Sequence, residues 1–251
     1  FASESVVLSN MQMEVKDLKP GQLLIIDENG YRVEDYIAPE QQKTSYCFFE
    51  WIYFGHTASV MEGKSVYKVR ERIGEQLAKE ESGFRDDDWI VVPVPETSYI
   101  AGSKYAQTLK LPYVQGLLKN HSIGRTFIDN TNRKYNIQLK FTHLKEVLKG
   151  KKVLLVDDSI VRGTTMKTLV KNLKEWSEVK EVHIRVGCPP IVAPCFYGID
   201  FPTIDELYAG RVEPNAKDFG ADSLSYLSMD GLLKAVKKDK EVMCLACLTK
   251  K

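Results

Sequence analysis

Lys152-Val153-Leu154-Leu155-Val156-Asp157-Asp158-Ser159-Ile160-Val161-Arg162-Gly163-Thr164-Thr165 decides the fold class. Residues 153–156 form an uninterrupted apolar run of the kind buried on both faces of a parallel sheet. Met166, Leu169, Val170, Leu173 and Trp176 then recur at helical spacing. Between strand and helix lie two adjacent carboxylates, one glycine and small hydroxylated residues. The first N–H groups of a helix lack intrahelical partners, and its dipole favours negative charge there. Gly163 lets the backbone approach an anion closely, while Thr164 and Thr165 add hydroxyl donors. These residues suit a phosphate on the loop, with Asp157 and Asp158 on sugar hydroxyls or on Mg²⁺. They also suit a plain capped strand–turn–helix with a solvated acidic pair. They are not a Walker loop, because no G-x-x-x-x-G-K-[ST] pattern is present.

Working outward, Val182, Ile184 and Val186 alternate with His183 and Arg185, which predicts a following strand. Upstream, Trp89-Ile90-Val91-Val92-Pro93-Val94 reads as a fully buried strand and 99–110 as the helix after it. Val66, Val69, Ile73 and Leu77 predict an amphipathic helix over 65–80. Phe48, Phe49, Trp51, Ile52, Tyr53 and Phe54 read as a buried strand. Strands alternating with helices argue for an α/β fold with a mostly parallel sheet flanked by helices. Ligands of such a sheet bind beyond the carboxyl ends of its strands, so the residues after Val94 and Val156 are where chemistry is expected. Residues 1–36 read as short strands separated by turns, with Asn29-Gly30 as a hairpin turn after Leu23-Leu24-Ile25-Ile26. Polar residues 37–46 read as a linker. The chain is accordingly divided into 1–40 and 41–251.

Composition narrows the field. Lys plus Arg is 35 and Asp plus Glu is 34, so no excess of positive charge points to nucleic acid or an anionic membrane. No apolar stretch has the length of a membrane-spanning helix. The sequence opens on Phe1 without a basic segment and apolar h-region, so no signal peptide is read, and a fragment or processed product is expected. Five cysteines are too few for a disulfide scaffold, and without a secretory signal the expected compartment is the reducing cytoplasm.

The acidic pair and the Gly-Thr-Thr turn resemble the phosphoribosyl pyrophosphate signature of type I phosphoribosyltransferases. The longer string Val156–Thr165 is similar to that of the amidophosphoribosyltransferases, the glutamine-dependent family that opens purine synthesis. The likeness extends to Val92-Pro93-Val94-Pro95-Glu96-Thr97-Ser98, which resembles the family's pyrophosphate loop. Lys119-Asn120 and Gly124-Arg125-Thr126-Phe127-Ile128 resemble its flexible loop, and Pro189-Pro190-Ile191 with Pro194–Asp200 a further block. Ala2-Ser3-Glu4-Ser5 resembles the end of its glutaminase domain, making residues 1–40 a β remnant of that domain and 41–251 a phosphoribosyltransferase domain.

The resemblance implies that phosphoribosyl pyrophosphate and ammonia give 5-phosphoribosylamine and pyrophosphate. It assigns Mg²⁺ to Thr97, Asp157 and Asp158. Glu96, Thr97 and Ser98, with Ser159, Ile160, Val161, Arg162, Gly163, Thr164 and Thr165, would bind substrate, and Lys119 and Arg125 would close over the pyrophosphate. It also implies purine nucleotide inhibitors and assemblies of two or four full-length chains.

Cys244-Leu245-Ala246-Cys247 is ambiguous by itself between zinc, an iron–sulfur cluster, a redox pair and chance. With Cys47 and Cys195 it matches the four cysteines of the family's iron–sulfur branch, which implies a structural [4Fe–4S] cluster, zinc being the alternative. Cys188 has no matching role and reads as a small buried residue.

Three departures stand out. No residue matches the family's N-terminal cysteine nucleophile, so ammonia must come from another portion or another source. Gly55-His56-Thr57-Ala58-Ser59 stands where the family usually has Ala-Arg-Pro-Asp-Ser, and His121-Ser122 where it has Arg-Tyr. Two competing readings are therefore a phosphoribosyltransferase using a different amine and a non-catalytic nucleotide sensor.

Overall fold

The computed structural model describes residues 1–81, 88–121, 140–199 and 203–249. In chain order the first elements are helix α1 (Ser5–Asn10), the hairpin strands β1 (Gln22–Asp27) and β2 (Gly30–Asp35), and strand β3 (Tyr46–Cys47). A small ladder, β4 (Val60–Met61) and β5 (Lys64–Ser65), leads into helix α2 (Val66–Lys79). Strand β6 (Trp89–Pro93), helix α3 (Tyr99–Leu109), strands β7 (Leu117–Lys119) and β8 (Phe141–His143) and helix α4 (Lys145–Leu148) follow. The second half contains β9 (Lys152–Asp157), α5 (Thr164–Glu175), β10 (Glu181–Val186), α6 (Tyr208–Arg211), β11 (Ser223–Tyr226), α7 (Met229–Val236), β12 (Met243–Cys244) and α8 (Ala246–Thr249).

Four strands make one parallel sheet in the order β11-β10-β9-β6. Residues 112–114 run along the outer edge of β6, where Val91 N–H donates to Pro112 O and Val114 N–H to Val91 O, both at 2.9 Å. The chain thus leaves β6 through α3 toward one edge and leaves β9 through α5 toward the other. Right-handed crossovers of opposite direction fall on opposite faces of a sheet. Their divergence opens a crevice between the carboxyl ends of β6 and β9.

The apolar runs read from the sequence make this core. Ile90–Val92, Val153–Val156, Val182, Ile184 and Val186 are buried, as are Met166, Leu169, Val170 and Leu173 on α5. Helix α2 meets α3 through Gly74, where any Cβ would collide with the backbone carbonyl of Ala101. That contact brings two helices closer than larger side chains permit.

Two expectations are corrected. Residues 48–54 are not a strand: after β3 the chain coils through Glu50–Phe54, closed by a 2.7 Å bond from Gly55 N–H to Glu50 O. The reason is a buried arginine on α2. Arg70 donates through Nε to Trp51 O (3.0 Å) and through Nη2 to Tyr53 O (3.1 Å) and Gly55 O (2.9 Å). Those carbonyls therefore face α2 instead of a neighbouring strand, although Phe48, Phe49, Trp51 and Ile52 are buried as an apolar run should be. Near the start, Ser5–Asn10 is a helical turn, and the hairpin around Asn29-Gly30 is the first true strand pair.

Candidate active site

The register of the sheet aligns the functional loops. Pro93 pairs with Val156, and Asp157 with Val186. Val94 N–H donates to Val156 O and Gly187 N–H to Asp157 O, each at 2.8 Å, so the three strand ends are tied together just below the acids. From β6, Thr97 Oγ1 donates to Asp158 Oδ2, and Ser98 Oγ lies 3.3 Å from Asp157 Oδ1. Ser159 Oγ donates to Asp158 Oδ1 at 2.6 Å, and Asp158 N–H to Asp157 Oδ1 at 2.9 Å. Thr97, Ser98, Asp157, Asp158 and Ser159 therefore meet in the crevice the topology predicts.

Burial pushes the Asp157 carboxyl well above the usual carboxylate range, and the neighbouring charge of Asp158 adds to it. Burial raises Asp158 as well, opposed by the hydroxyls of Ser159 and Thr97 and by the charges of Arg70 and Lys140. Two carboxylates so placed call for a cation. A divalent ion would relieve their repulsion, and their oxygen donors with the Thr97 hydroxyl are the chemistry Mg²⁺ selects.

Beyond the acids, the loop 159–163 rises to α5. Gly163 has φ +78°, and no side chain caps the start of the helix. Its first N–H groups are left for an external acceptor. Ser159, Val161, Arg162 and Gly163 are half-buried and Thr164 is exposed, whereas the Ile160 side chain points into the core. Arg162 Nε is 2.7 Å from Glu206 Oε2.

Lys119, at the end of β7, places Nζ 2.5 Å from Glu96 Oε2, and His121 Nε2 lies 3.5 Å from Glu96 Oε1. The bond from Lys119 holds the Glu96 carboxyl below its ordinary pKa. Arg125 and Ser122 lie outside the described residues. Sequence reasoning missed Arg70 and Lys140, whose charges act on Asp158. Nothing in their local spacing marks them, because both act across elements. His56 is exposed in the turn after Gly55, where its N–H donates to Glu4 Oε2 at 2.7 Å and its Nδ1 accepts from Ala58 N–H at 3.2 Å.

A second constellation forms at the other end of the chain. Strand β12 pairs in parallel with β3, setting Cys244 beside Cys47. Val192 and Ala193 N–H donate to Cys247 O at 2.8 and 3.1 Å, which brings the Cys195 segment to the same place. Cys47, Cys195, Cys244 and Cys247 line one pocket with Phe49 and Ile199. Burial, together with the other three thiols, pushes Cys247 up to about 12. The thiolate form of such a set requires a compensating cation. Among the described residues no three His, Cys, Asp or Glu side chains form a ready-made single-ion site. Cys188 is buried and donates its thiol to Pro189 O at 3.1 Å.

Comparison with known proteins agrees with this geometry. The phosphoribosyl transferase domain model matches residues 59–189, which include β6, β9 and both of their loops. Amidophosphoribosyltransferases of Methanocaldococcus jannaschii and Archaeoglobus fulgidus are 40% and 42% identical over the whole chain, which covers 56% and 55% of their lengths. The glutamine phosphoribosylpyrophosphate amidotransferase of B. subtilis, solved with ADP and GMP, superposes with a TM-score of 0.87 at 37% identity. That match covers 99% of this chain and 55% of the relative. The chain thus spans about half the length of the relatives it matches. No helix among the described residues is long and apolar enough to cross a membrane. The matched segment holds both the paired acids and the uncapped helix start, and the chain belongs to the phosphoribosyltransferase family.

Proposed function

We propose that this chain carries out the transfer step of an amidophosphoribosyltransferase, in which ammonia and phosphoribosyl pyrophosphate give 5-phosphoribosylamine and pyrophosphate. The observation that carries the reading is the meeting of Thr97 and Ser98 with Asp157 and Asp158 in the crevice before an uncapped helix. The nitrogen lone pair attacks C1 of the ribose, the bond from C1 to the pyrophosphate oxygen breaks, and a proton leaves the new amine. Residues 159–165 hold the 5′-phosphate by backbone N–H groups and hydroxyls. Asp157 and Asp158 accept from the ribose hydroxyls and stabilise positive charge developing on the sugar. Mg²⁺ bound at Thr97, Asp157 and Asp158 would supply charge neutralisation for the departing pyrophosphate. Lys119 lies beside Glu96 on the loop expected to face the pyrophosphate, with Arg125 assigned to the same work by resemblance. No nucleophilic side chain is needed; positioning of two reactants carries the rate.

The portion of the relatives beyond this chain would supply ammonia from glutamine, with the division near residue 40. Inhibition by purine nucleotides at the same loop belongs to this reading, and the B. subtilis relative was solved with ADP and GMP. The four thiols fit a structural [4Fe–4S] cluster, with zinc as the alternative, since all four line one pocket and thiolate-only ligation suits either centre. Assembly of full-length chains and a cytoplasmic location belong to the same reading.

The test is ammonium-dependent pyrophosphate release with Mg²⁺ at mildly alkaline pH, where more of the ammonium is free base. Release that falls on the order of 10²–10³-fold in the Asp157→Asn, Asp158→Asn double variant supports the assignment. Binding of phosphoribosyl pyrophosphate without any release in wild type would favour the sensor reading. Release with a different amine but not with ammonia would favour the diverged transferase.

A further inference from the structure

Residues 203–219 wall the phosphate loop on one side, and neither the proposed chemistry nor the sequence signature uses them. The segment comprises the turn Ile204–Glu206, helix α6 and the turn Ala216–Phe219. It grips the loop at three successive residues. Tyr208 N–H donates to Val161 O at 2.8 Å. Glu206 Oε2 accepts from Arg162 Nε at 2.7 Å. At Gly163 a Cβ would come within 3.1 Å of the Phe219 ring and 3.5 Å of Tyr208 Cβ. The two rings pack edge to face at 4.7 Å, both buried. Tyr208 is itself fixed, because its hydroxyl donates to Asp218 Oδ2 at 2.9 Å and accepts from Asn215 N–H at 2.8 Å.

The geometry points to Glu206 and Tyr208 as positioning residues of the phosphate loop. Tyr208 sets the loop backbone through its N–H to Val161 O, and Glu206 offsets charge on Arg162, leaving recognition of the phosphate to the N–H groups and hydroxyls at Gly163–Thr165. The inference rests on the reading of 159–165 as the phosphate loop. An arginine at the rim of such a loop, with the Glu206 carboxylate no longer opposing it, attracts every phosphate ester more strongly, substrate and product alike. That is uniform binding, which lowers KM without raising kcat. Glu206 therefore sets how tightly anions are held, not how fast they react.

Calorimetric binding of ribose 5-phosphate to the full chain, alongside kcat and KM for phosphoribosyl pyrophosphate, tests this. Glu206→Gln is expected to tighten ribose 5-phosphate by roughly three- to tenfold at low salt, with the gain fading as salt screens the exposed pair. KM should fall in parallel while kcat stays within about twofold. In an Arg162→Met background the Glu206→Gln change should have no effect, since it acts through that guanidinium. Tyr208→Phe, which keeps the ring and drops both hydroxyl bonds, should raise KM with kcat retained, and Tyr208→Leu should raise it further. Unchanged affinity in Glu206→Gln, an equal effect in the Arg162→Met background, or a loss of kcat alone in Tyr208→Phe overturns the inference. Wild-type protein that binds no ribose 5-phosphate overturns the phosphate-loop reading itself, a result visible before any variant is made.

Discussion

Asp157 has two opposed consequences. Its carboxyl is needed ionised for a cation or a ribose hydroxyl, yet burial and Asp158 hold it toward the protonated form. The folded protein therefore binds that proton more tightly than the unfolded chain does. Its contribution to stability is fully present below the unfolded carboxylate value and declines as pH rises toward the raised folded value. Asp157→Asn removes the decline. In calorimetric melts of the metal-free protein, this variant should melt above wild type by a few degrees, about 2–4 °C for each kcal/mol relieved. The gap should widen from acid to mildly alkaline pH while transfer activity disappears. A variant that melts below wild type at alkaline pH would sink this account. The acidic pair was legible because adjacent carboxylates after an apolar strand are a local pattern. Arg70 and Lys140, which oppose the shift at Asp158, were not, because they come from α2 and from just before β8.

At the scale of elements, the coil from Glu50 to Thr57 shows where periodicity misleads. Its apolar residues are buried as expected, but a strand also needs a partner for its backbone, and here α2 supplies one through a side chain. Arg70 Nη1 also donates to Thr57 Oγ1 at 3.1 Å, so one guanidinium serves four acceptors of the same turn. From the other side, Glu4 Oε2 accepts from His56 N–H and Ser59 Oγ, each at 2.7 Å, and Ser5 Oγ accepts from Val60 N–H at 2.7 Å. Arg70→Met keeps the bulk and leaves the carbonyls of a buried turn unpaired. A loss of roughly 2–4 kcal/mol in denaturant titration is expected. Arg70→Lys should recover part of it, by restoring a donor. A neutral Arg70→Met would mean that water replaces the guanidinium and the turn is self-supporting. By contrast α2, α3, β6, β9, α5 and β10 were legible within a residue or two, since each buries a continuous run or stripe.

At the scale of the whole molecule, the pairing of β3 with β12 joins distant parts of the chain at the four cysteines. No local pattern announces such a pairing; only resemblance connected Cys47 and Cys195 to the C-x-x-C. Anaerobically purified protein should contain about four iron atoms per chain, with matching sulfide. Cys244→Ser should lose most of both and leave residues 243–249 open to proteolysis. One zinc per chain and no iron would replace the cluster with a zinc site.

The β3–β12 pairing also bears on how the chain is made. Synthesis proceeds from the N-terminus, and domains fold as their residues emerge. Tyr46 and Cys47 must wait for a partner strand until nearly all of the intervening sheet has been translated, and closing so long a loop is entropically unfavourable until the sheet holds its ends together. The thiol pocket therefore assembles only after the sheet that lies between its two strands in the chain. A ribosome stalled before Cys244 would leave the Phe48–Ile52 cluster partly uncovered, a surface for chaperones to bind. Occupancy of the pocket would then certify that translation had run past Cys247.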